Sequence, residues 1–122
     1  MGSFAPGKNI AMKVPPHEYD QTVRFYREIL GLPELTPADS TATPRFDFGG
    51  KVPWIDKVVT CTHAELWLEI THPEPTAAAA FLDSAGVIRC DDVEPLPDGF
   101  DGFWIASPCN VVHLLASQNE AS

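Results

Sequence analysis

The feature that most constrains the fold of this chain is an internal repeat, in which a strand pattern, a proline break and a helix pattern occur twice. The first copy begins with residues 9–31 and the second with residues 65–86. Residue 10 corresponds to residue 66, which is a shift of 56 positions. Two copies of one supersecondary unit account for nearly all of the 122 residues, so the repeat decides the fold class before any single residue does.

The first copy begins with an alternating segment, residues 9–14, whose even-numbered positions are apolar. Pro15 and Pro16 end this predicted strand, because proline cannot donate to a ladder of backbone hydrogen bonds. Apolar residues then recur at helical spacing over 19–30, which predicts a helix with one wide apolar face. Gly31 is placed to end that helix.

The second copy repeats the order. Residues 65–70 alternate, and Pro73 and Pro75 break the strand. An alanine-rich helix is predicted over 76–85, and Gly86 ends it one residue earlier than the shift of 56 predicts. A chance match would have to reproduce the strand face, the proline break and the terminal glycine together, so we favour a true repeat.

The remainder of each copy predicts three further strands. In the first copy they cover residues 33–35, 45–48 and 54–60, and in the second 87–93, 102–106 and 111–115. A loop over 36–44 lies in the first copy, and Asn110 in the second can take a positive φ angle in a turn. We therefore expect one α+β domain over 1–122, made of two βαβββ modules at about 8–60 and 64–116, with a polar tail at 117–122.

Composition excludes several classes of function. The chain has 17 acidic and 8 basic residues and a net charge of −9. Nucleic-acid binding needs a basic surface, so we expect no nucleic-acid partner. We find no membrane-spanning apolar run and no signal-peptide pattern at 1–9, and we expect a cytoplasmic protein without a membrane partner. Its three cysteines form no CxxC pair and are expected to be reduced.

Three short motifs resemble the vicinal oxygen chelate superfamily, which includes glyoxalases, bleomycin-resistance proteins, methylmalonyl-CoA epimerases and extradiol dioxygenases. They are FYREILGL at 25–32, FLDSAGV at 81–87 and FWIASPCN at 103–110. The resemblance implies a glyoxalase-like fold, in which two modules related by a pseudo-twofold axis form a curved mixed sheet around a cleft, with the helices outside. It implies little about the reaction, because members share a scaffold and differ in chemistry.

The two-residue period of a strand places alternate side chains on opposite faces. If the apolar positions of the first and fifth strands cover the helices, Asn9, Lys13, Glu65, Trp67 and Glu69 face the cleft. The resemblance implies that a metal would be held by residues of the first, fifth and last strands.

The corresponding metal ligands here are Asn9, Glu65 and His113. Asn9 is a weak ligand, whereas carboxylate and imidazole are good ones. An ungapped match to the family places Leu114 at the last-strand position, and a one-residue deletion restores His113. His63 could replace a missing ligand if the fifth strand begins early enough.

The other candidate residues each have two interpretations. Glu69 is a candidate general base, or it pairs with Lys13, which has the equivalent position in the other module. Trp67 offers a flat surface to a ligand, or it fills the core. Arg45 is a candidate ligand-binding residue, because Phe46 and Phe48 alternate with it and are expected to pack on the helix.

Two functions fit these residues. The first is a metal-dependent enzyme, a lyase, isomerase or epimerase, using one divalent ion whose identity among Zn, Ni, Mn, Fe and Mg the sequence does not distinguish. The alternative is a metal-free protein that sequesters a small molecule, as bleomycin-resistance proteins do. The acidic charge suits a cationic ligand, although simple solubility explains it better when charge is the only evidence.

We predict a homodimer, because a short chain has few other ways to cover the exposed edges of its sheet. Sedimentation at micromolar concentration should give a mass of two chains of 13.3 kDa each. A mass of a single chain under those conditions would contradict the prediction.

Overall fold

A computed structural model of the protein describes residues 3–38 and 41–120; residues 39–40 of the predicted loop and 121–122 of the predicted tail lie outside the described residues. Six strands form a mixed sheet in the order β2-β1-β3-β6-β5-β4. The strands are β1 (Ala5–Val14), β2 (Val52–Lys57), β3 (Glu65–His72), β4 (Ile88–Arg89), β5 (Gly102–Ala106) and β6 (Val112–Ser117), and the helices are α1 (Pro16–Arg24) and α2 (Pro75–Ser84). The predicted α+β class is confirmed.

The contacts of the chain divide it into two compact units. The first unit is Lys8–Trp67, and the second combines Met1–Gly7 with Leu68–Ser122. Strands β1 and β3 each contribute residues to both units. Within residues 3–38 and 41–120, no helix is long and apolar enough to cross a membrane.

The core of the first unit forms between α1 and strands β1 and β2. These two strands are parallel, with Met12 opposite Ile55 and Lys13 opposite Asp56. The predicted helix-facing side of β1 is confirmed, because Val14 is buried in this core and Met12 packs against it. Other members of the core are Tyr19, Val23, Tyr26, Leu32, Phe46 and Ile55.

The start and the end of α1 differ from an ordinary helix. Strand β1 ends at Val14, directly before the two prolines, as predicted, and Pro16 also opens the helix, because its fixed φ angle suits the first helical position. The helix then continues as a π-helical turn, Phe25–Ile29, in which the Leu30 amide donates to the Phe25 carbonyl over 2.9 Å. A π turn holds one more residue than an α turn. This extra residue explains why the second copy ends its helix one residue early.

Two of the predicted strands in the first unit are reduced to isolated bridges. Residues 33–35 contribute one bridge, from Glu34 to Phe46, and residues 45–48 add bridges from Arg45 to Trp54 and from Phe48 to Lys51. Pro33 begins the first segment and Pro44 precedes the second, and neither has the amide hydrogen that a continuous ladder needs. Arg27 in the π turn donates two hydrogen bonds of 2.8 Å, one to each carboxylate oxygen of Glu34. These bonds lower the pKa of Glu34 to about 2.

The second unit contains the more complete module. Strands β3 and β6 are parallel, and β5 pairs antiparallel with both β4 and β6. The predicted strand over 87–93 is wrong beyond Arg89, because the chain turns into a 3-10 turn at Asp91–Val93. One Asp91 carboxylate oxygen accepts the Trp104 amide over 3.0 Å, which replaces the ladder bond of a longer strand. The core consists of Ala78, Phe103, Ile105 and Leu115, with Ile70, Ala79, Leu82 and Val87 around them.

The apolar face of β3 is covered less completely than the sequence predicts. Ile70 packs in the core beside α2, but Leu66 and Leu68 remain 48% and 38% exposed. Helix α2 begins with Pro75 and continues with four alanines, whose side chains are too short to cover a wide surface. An exposed apolar strip on β3 results.

Phe46 and Phe48 provide a matched test of the first core, because they lie two positions apart and Phe46 is 0% exposed while Phe48 is 54% exposed. Phe46→Ala should lower the free energy of unfolding by about 3–5 kcal/mol, since it leaves a cavity among Val14, Val23 and Ile55. Phe48→Ala should change it by about 0.5 kcal/mol or less. Urea denaturation measures both, and equal losses would contradict this assignment of the core.

Candidate functional site

Asn9 and Lys13, two of the predicted site residues of the first unit, lie on the face of β1 opposite its core. We call the following set the indole network, because each of its two groups of contacts contains a tryptophan side chain. It consists of Asn9, Lys13, Arg45, Trp54, Asp56, Glu65 and Trp67. Sequence alternation predicts the face of β1 correctly, since Asn9 and Lys13 alternate with the core residues Met12 and Val14.

Trp54 holds two of the predicted site residues. Its Nε1–H donates to the amide oxygen of Asn9 over 2.9 Å, and the guanidinium of Arg45 lies 3.6 Å from the centre of its ring. This separation is typical of a cation stacked on an aromatic face. The Asn9 oxygen is therefore directed at an indole, and the Arg45 guanidinium lies over the ring of the same side chain.

Lys13 connects the second tryptophan to β2. Its side chain is 4% exposed, and Nζ donates to Oδ2 of Asp56 over 2.9 Å. The same Nζ lies 4.3 Å from the centre of the Trp67 ring, and Trp67 Nε1–H donates to Oε1 of Glu65 over 2.7 Å. A buried ammonium needs such partners, because an unpaired charge is costly to remove from water. Trp67 is thus fixed at both its ring face and its nitrogen.

Two members of the network, Trp54 and Asp56, were not predicted from the sequence. They flank Ile55, which is 1% exposed, so their side chains point away from the core. The alternation around Ile55 could have placed them on that face. Their pairing with Asn9 and Lys13 could not be predicted, because it depends on the parallel register of β1 and β2.

Glu69, the candidate general base, lies in the second unit. It is half-buried and stands opposite Leu114 in the register of β3 and β6. Its carboxylate rests against Gly7 so closely that a Cβ atom at residue 7 would overlap it. The absence of a side chain at Gly7 therefore makes room for Glu69. The predicted pairing of Glu69 with Lys13 stays a prediction.

The predicted orientation of His113 is wrong. His113 stands opposite Ile105 on β5 and opposite Leu68 on β3. Ile105 belongs to the core beside α2, and paired residues share a face, so His113 lies on the helix-facing side. Leu114 takes the position on the other face, opposite Glu69. The ungapped match was therefore the correct register, and the assumed one-residue deletion is the source of the error.

The predicted metal donors do not form a suitable site. Asn9 and Glu65 are hydrogen-bonded to indole nitrogens, and the last strand presents Leu114 rather than His113 on the face opposite the helix. His63, the proposed substitute, is exposed and contacts the neighbouring Thr62 hydroxyl. In residues 3–38 and 41–120, no three His, Cys, Asp or Glu side chains come together as metal ligands. A divalent ion needs several converging donors, so these residues do not fit one.

Comparison with solved structures supports the fold. The Mn(II)-bound glyoxalase from Novosphingobium aromaticivorans matches 96% of the chain at 14% identity and a TM-score of 0.68, and the chain covers 40% of that protein. A hypothetical protein from Bacillus halodurans matches 95% of both chains at 14% identity and a TM-score of 0.65. A methylmalonyl-CoA epimerase matches 91% of the chain, and 93% of its own, at 15% identity and a TM-score of 0.56.

No protein-family model matches the sequence, and no curated protein matches it. The predicted glyoxalase-like fold is confirmed by the solved structures, which show the fold alone. Identities of 14–15% show the scaffold and leave the activity open.

Asp56→Asn tests the ion pair within the indole network. The substitution preserves size and removes the charge that faces the buried Lys13, so it should lower the free energy of unfolding by about 1.5–3 kcal/mol. Asp47→Asn is the matched control, because Asp47 is exposed and its Oδ1 acceptor for the Gly50 amide is preserved. Thermal or urea denaturation should separate the two variants, and equal effects would show that the pair contributes little.

Proposed function

We propose that this chain is a metal-free binding protein for a small molecule, built on the vicinal oxygen chelate fold. The observation that carries the proposal is the engagement of Asn9 and Glu65 by indole N–H groups. At the strand positions where the resemblance predicts metal donors, these side chains instead orient tryptophan rings. A fixed aromatic surface with few polar groups is typical of small-molecule sites.

The ligand we propose is a small planar cation. Trp67 supplies an aromatic ring that is already fixed in position, and the exposed carboxylate of Glu65 lies next to its nitrogen. Cations bind favourably both to indole rings and to carboxylates. The net charge of −9 would raise the local concentration of a cation through long-range attraction. Lys13 does not oppose such a ligand strongly, because Asp56 offsets its charge.

The second candidate is the metal-dependent enzyme predicted from the sequence, with Glu69 as general base. The match to a glyoxalase described as Mn(II)-bound favours it. The half-buried position of Glu69 against Gly7 also suits a base held in one orientation. Against it stands the donor set, because the Asn9 oxygen accepts an indole N–H and the last strand presents Leu114 rather than His113 on the face opposite the helix.

Elemental analysis of protein purified without chelator, followed by dialysis against Mn²⁺ and Zn²⁺, distinguishes the two functions. Metal well below one ion per chain is expected, with an unchanged melting temperature after chelator is added. A stoichiometric ion that is lost in Glu65→Gln would refute the metal-free proposal and support the enzyme.

Ligand binding is tested by titrating N-methylquinolinium, a planar cation, and quinoline, its neutral counterpart, against the intrinsic fluorescence of the protein. Trp67→Leu should weaken both by about tenfold or more, since it removes the ring surface. Glu65→Gln keeps an acceptor for the indole nitrogen and should weaken only the cation, by about fivefold, because it removes one charge. Absence of saturable binding by both probes, or equal loss in Glu65→Gln, would contradict the proposed ligand class.

A further inference from the structure

The second unit contains a cavity of about 570 Å³ on the helix-facing side of its strands. It lies between the C-terminal end of α2 and the β5–β6 hairpin. This volume falls within the range of about 300–1,000 Å³ that is typical of small-molecule pockets. Its walls are mainly apolar and include Ile70, Val87, Ile88, Ile105 and Ala106, with His113 as a polar member.

Comparison of the two copies explains why this space is open. The Phe46 amide donates to the carbonyl of Pro53, which is two residues before Ile55. The Ser107 amide donates in the same way to the carbonyl of Val111, two residues before His113. Ser107 therefore has the place of Phe46 in the repeat.

The strand registers give the second equivalence. Met12 stands opposite Ile55, and Leu68, the repeat counterpart of Met12, stands opposite His113. A fully buried phenylalanine and isoleucine of the first unit are thus replaced in the second by a serine and a histidine, and both replacements line the cavity. Loss of the phenylalanine ring opens space, and the histidine places a polar atom in it.

The hydrogen bonding of His113 determines which ring nitrogen a ligand can use. Its Nδ1 lies 2.9 Å from the Val111 carbonyl oxygen, and a carbonyl can only accept, so Nδ1 carries the hydrogen. In the neutral ring Nε2 is then an acceptor. No described residue is hydrogen-bonded to Nε2. Ser107 Oγ accepts the Val111 amide over 3.2 Å, which leaves its own hydrogen able to donate.

The absence of charged side chains from the described lining of the cavity indicates the class of ligand that it can bind. None of the described residues that line the cavity is Asp, Glu, Lys or Arg. An ion entering it would lose hydration without gaining a counter-charge, whereas a neutral apolar molecule would gain from leaving water. A single hydroxyl on that molecule would match the acceptor on His113.

We propose that this cavity is a second ligand site, which binds a neutral, mainly apolar molecule with one hydroxyl, such as a phenol, by donation from the hydroxyl to Nε2 of His113. The site goes beyond the function proposed for the indole network. It uses different residues and a different ligand chemistry.

Fluorine NMR titration of the full chain with 4-fluorophenol and 4-fluorotoluene tests the proposal, because the two probes differ chiefly in the hydroxyl. Saturable binding is expected, with 4-fluorophenol bound about fivefold more tightly, the ratio that one hydrogen bond provides. His113→Leu should remove this difference while both probes still bind. Ser107→Phe should abolish binding of both, since it restores the ring that fills the equivalent space in the first unit.

Should Ser107→Phe fail to fold, Ala85→Trp provides the same test, because Ala85 lies at the rim of the cavity and is exposed. Trp67→Leu should leave the binding of 4-fluorophenol unchanged, which separates this site from the indole network. The proposal is overturned if neither probe saturates, if His113→Leu preserves the preference for the phenol, or if both blocking variants bind as the wild type does.

Discussion

The parallel pairing of the first and last strands within each module is the constraint on which the other features depend. In the first unit it sets Lys13 beside Asp56, and in the second it sets Glu69 beside Leu114 and Leu68 beside His113. A shift of either register by one residue would exchange the two faces of a strand. The pairing of Lys13 with Asp56, the core beside α2 and the cavity with His113 all follow from these two registers.

The sequence predicted the elements of the fold well, because its strongest signals are local. Alternation in 9–14 and 65–70 identified β1 and β3, and Gly31 and Gly86, both with positive φ, ended the helices as predicted. Residues 33–35 and 45–48 were predicted as strands but form only isolated bridges. Alternation within a segment does not show whether the neighbouring segment has amide hydrogens with which to pair.

The candidate site was predictable only in part, for a different physical reason. Alternation within β1 identified Asn9 and Lys13, and alternation within β3 identified Trp67. The sequence displays such alternation directly. Their partners Trp54 and Asp56 lie more than forty positions from Asn9 and Lys13, and only the pairing of strands brings them together. The error at His113 has the same origin, since a choice between two registers was made by analogy and the packing of Ile105 decided it otherwise.

The π turn at Phe25–Ile29 shows where a repeat of this kind can change length. The first copy carries an additional residue, and the helix holds it as a wider turn closed by the hydrogen bond from Leu30 to Phe25. The corresponding turn of α2 closes with the ordinary bond from Ala85 to Phe81. Strands that follow the two helices nevertheless pair in equivalent registers. The end of a helix can therefore accommodate an inserted or deleted residue during divergence. The strand registers stay unchanged, so the same positions remain on each face of the sheet.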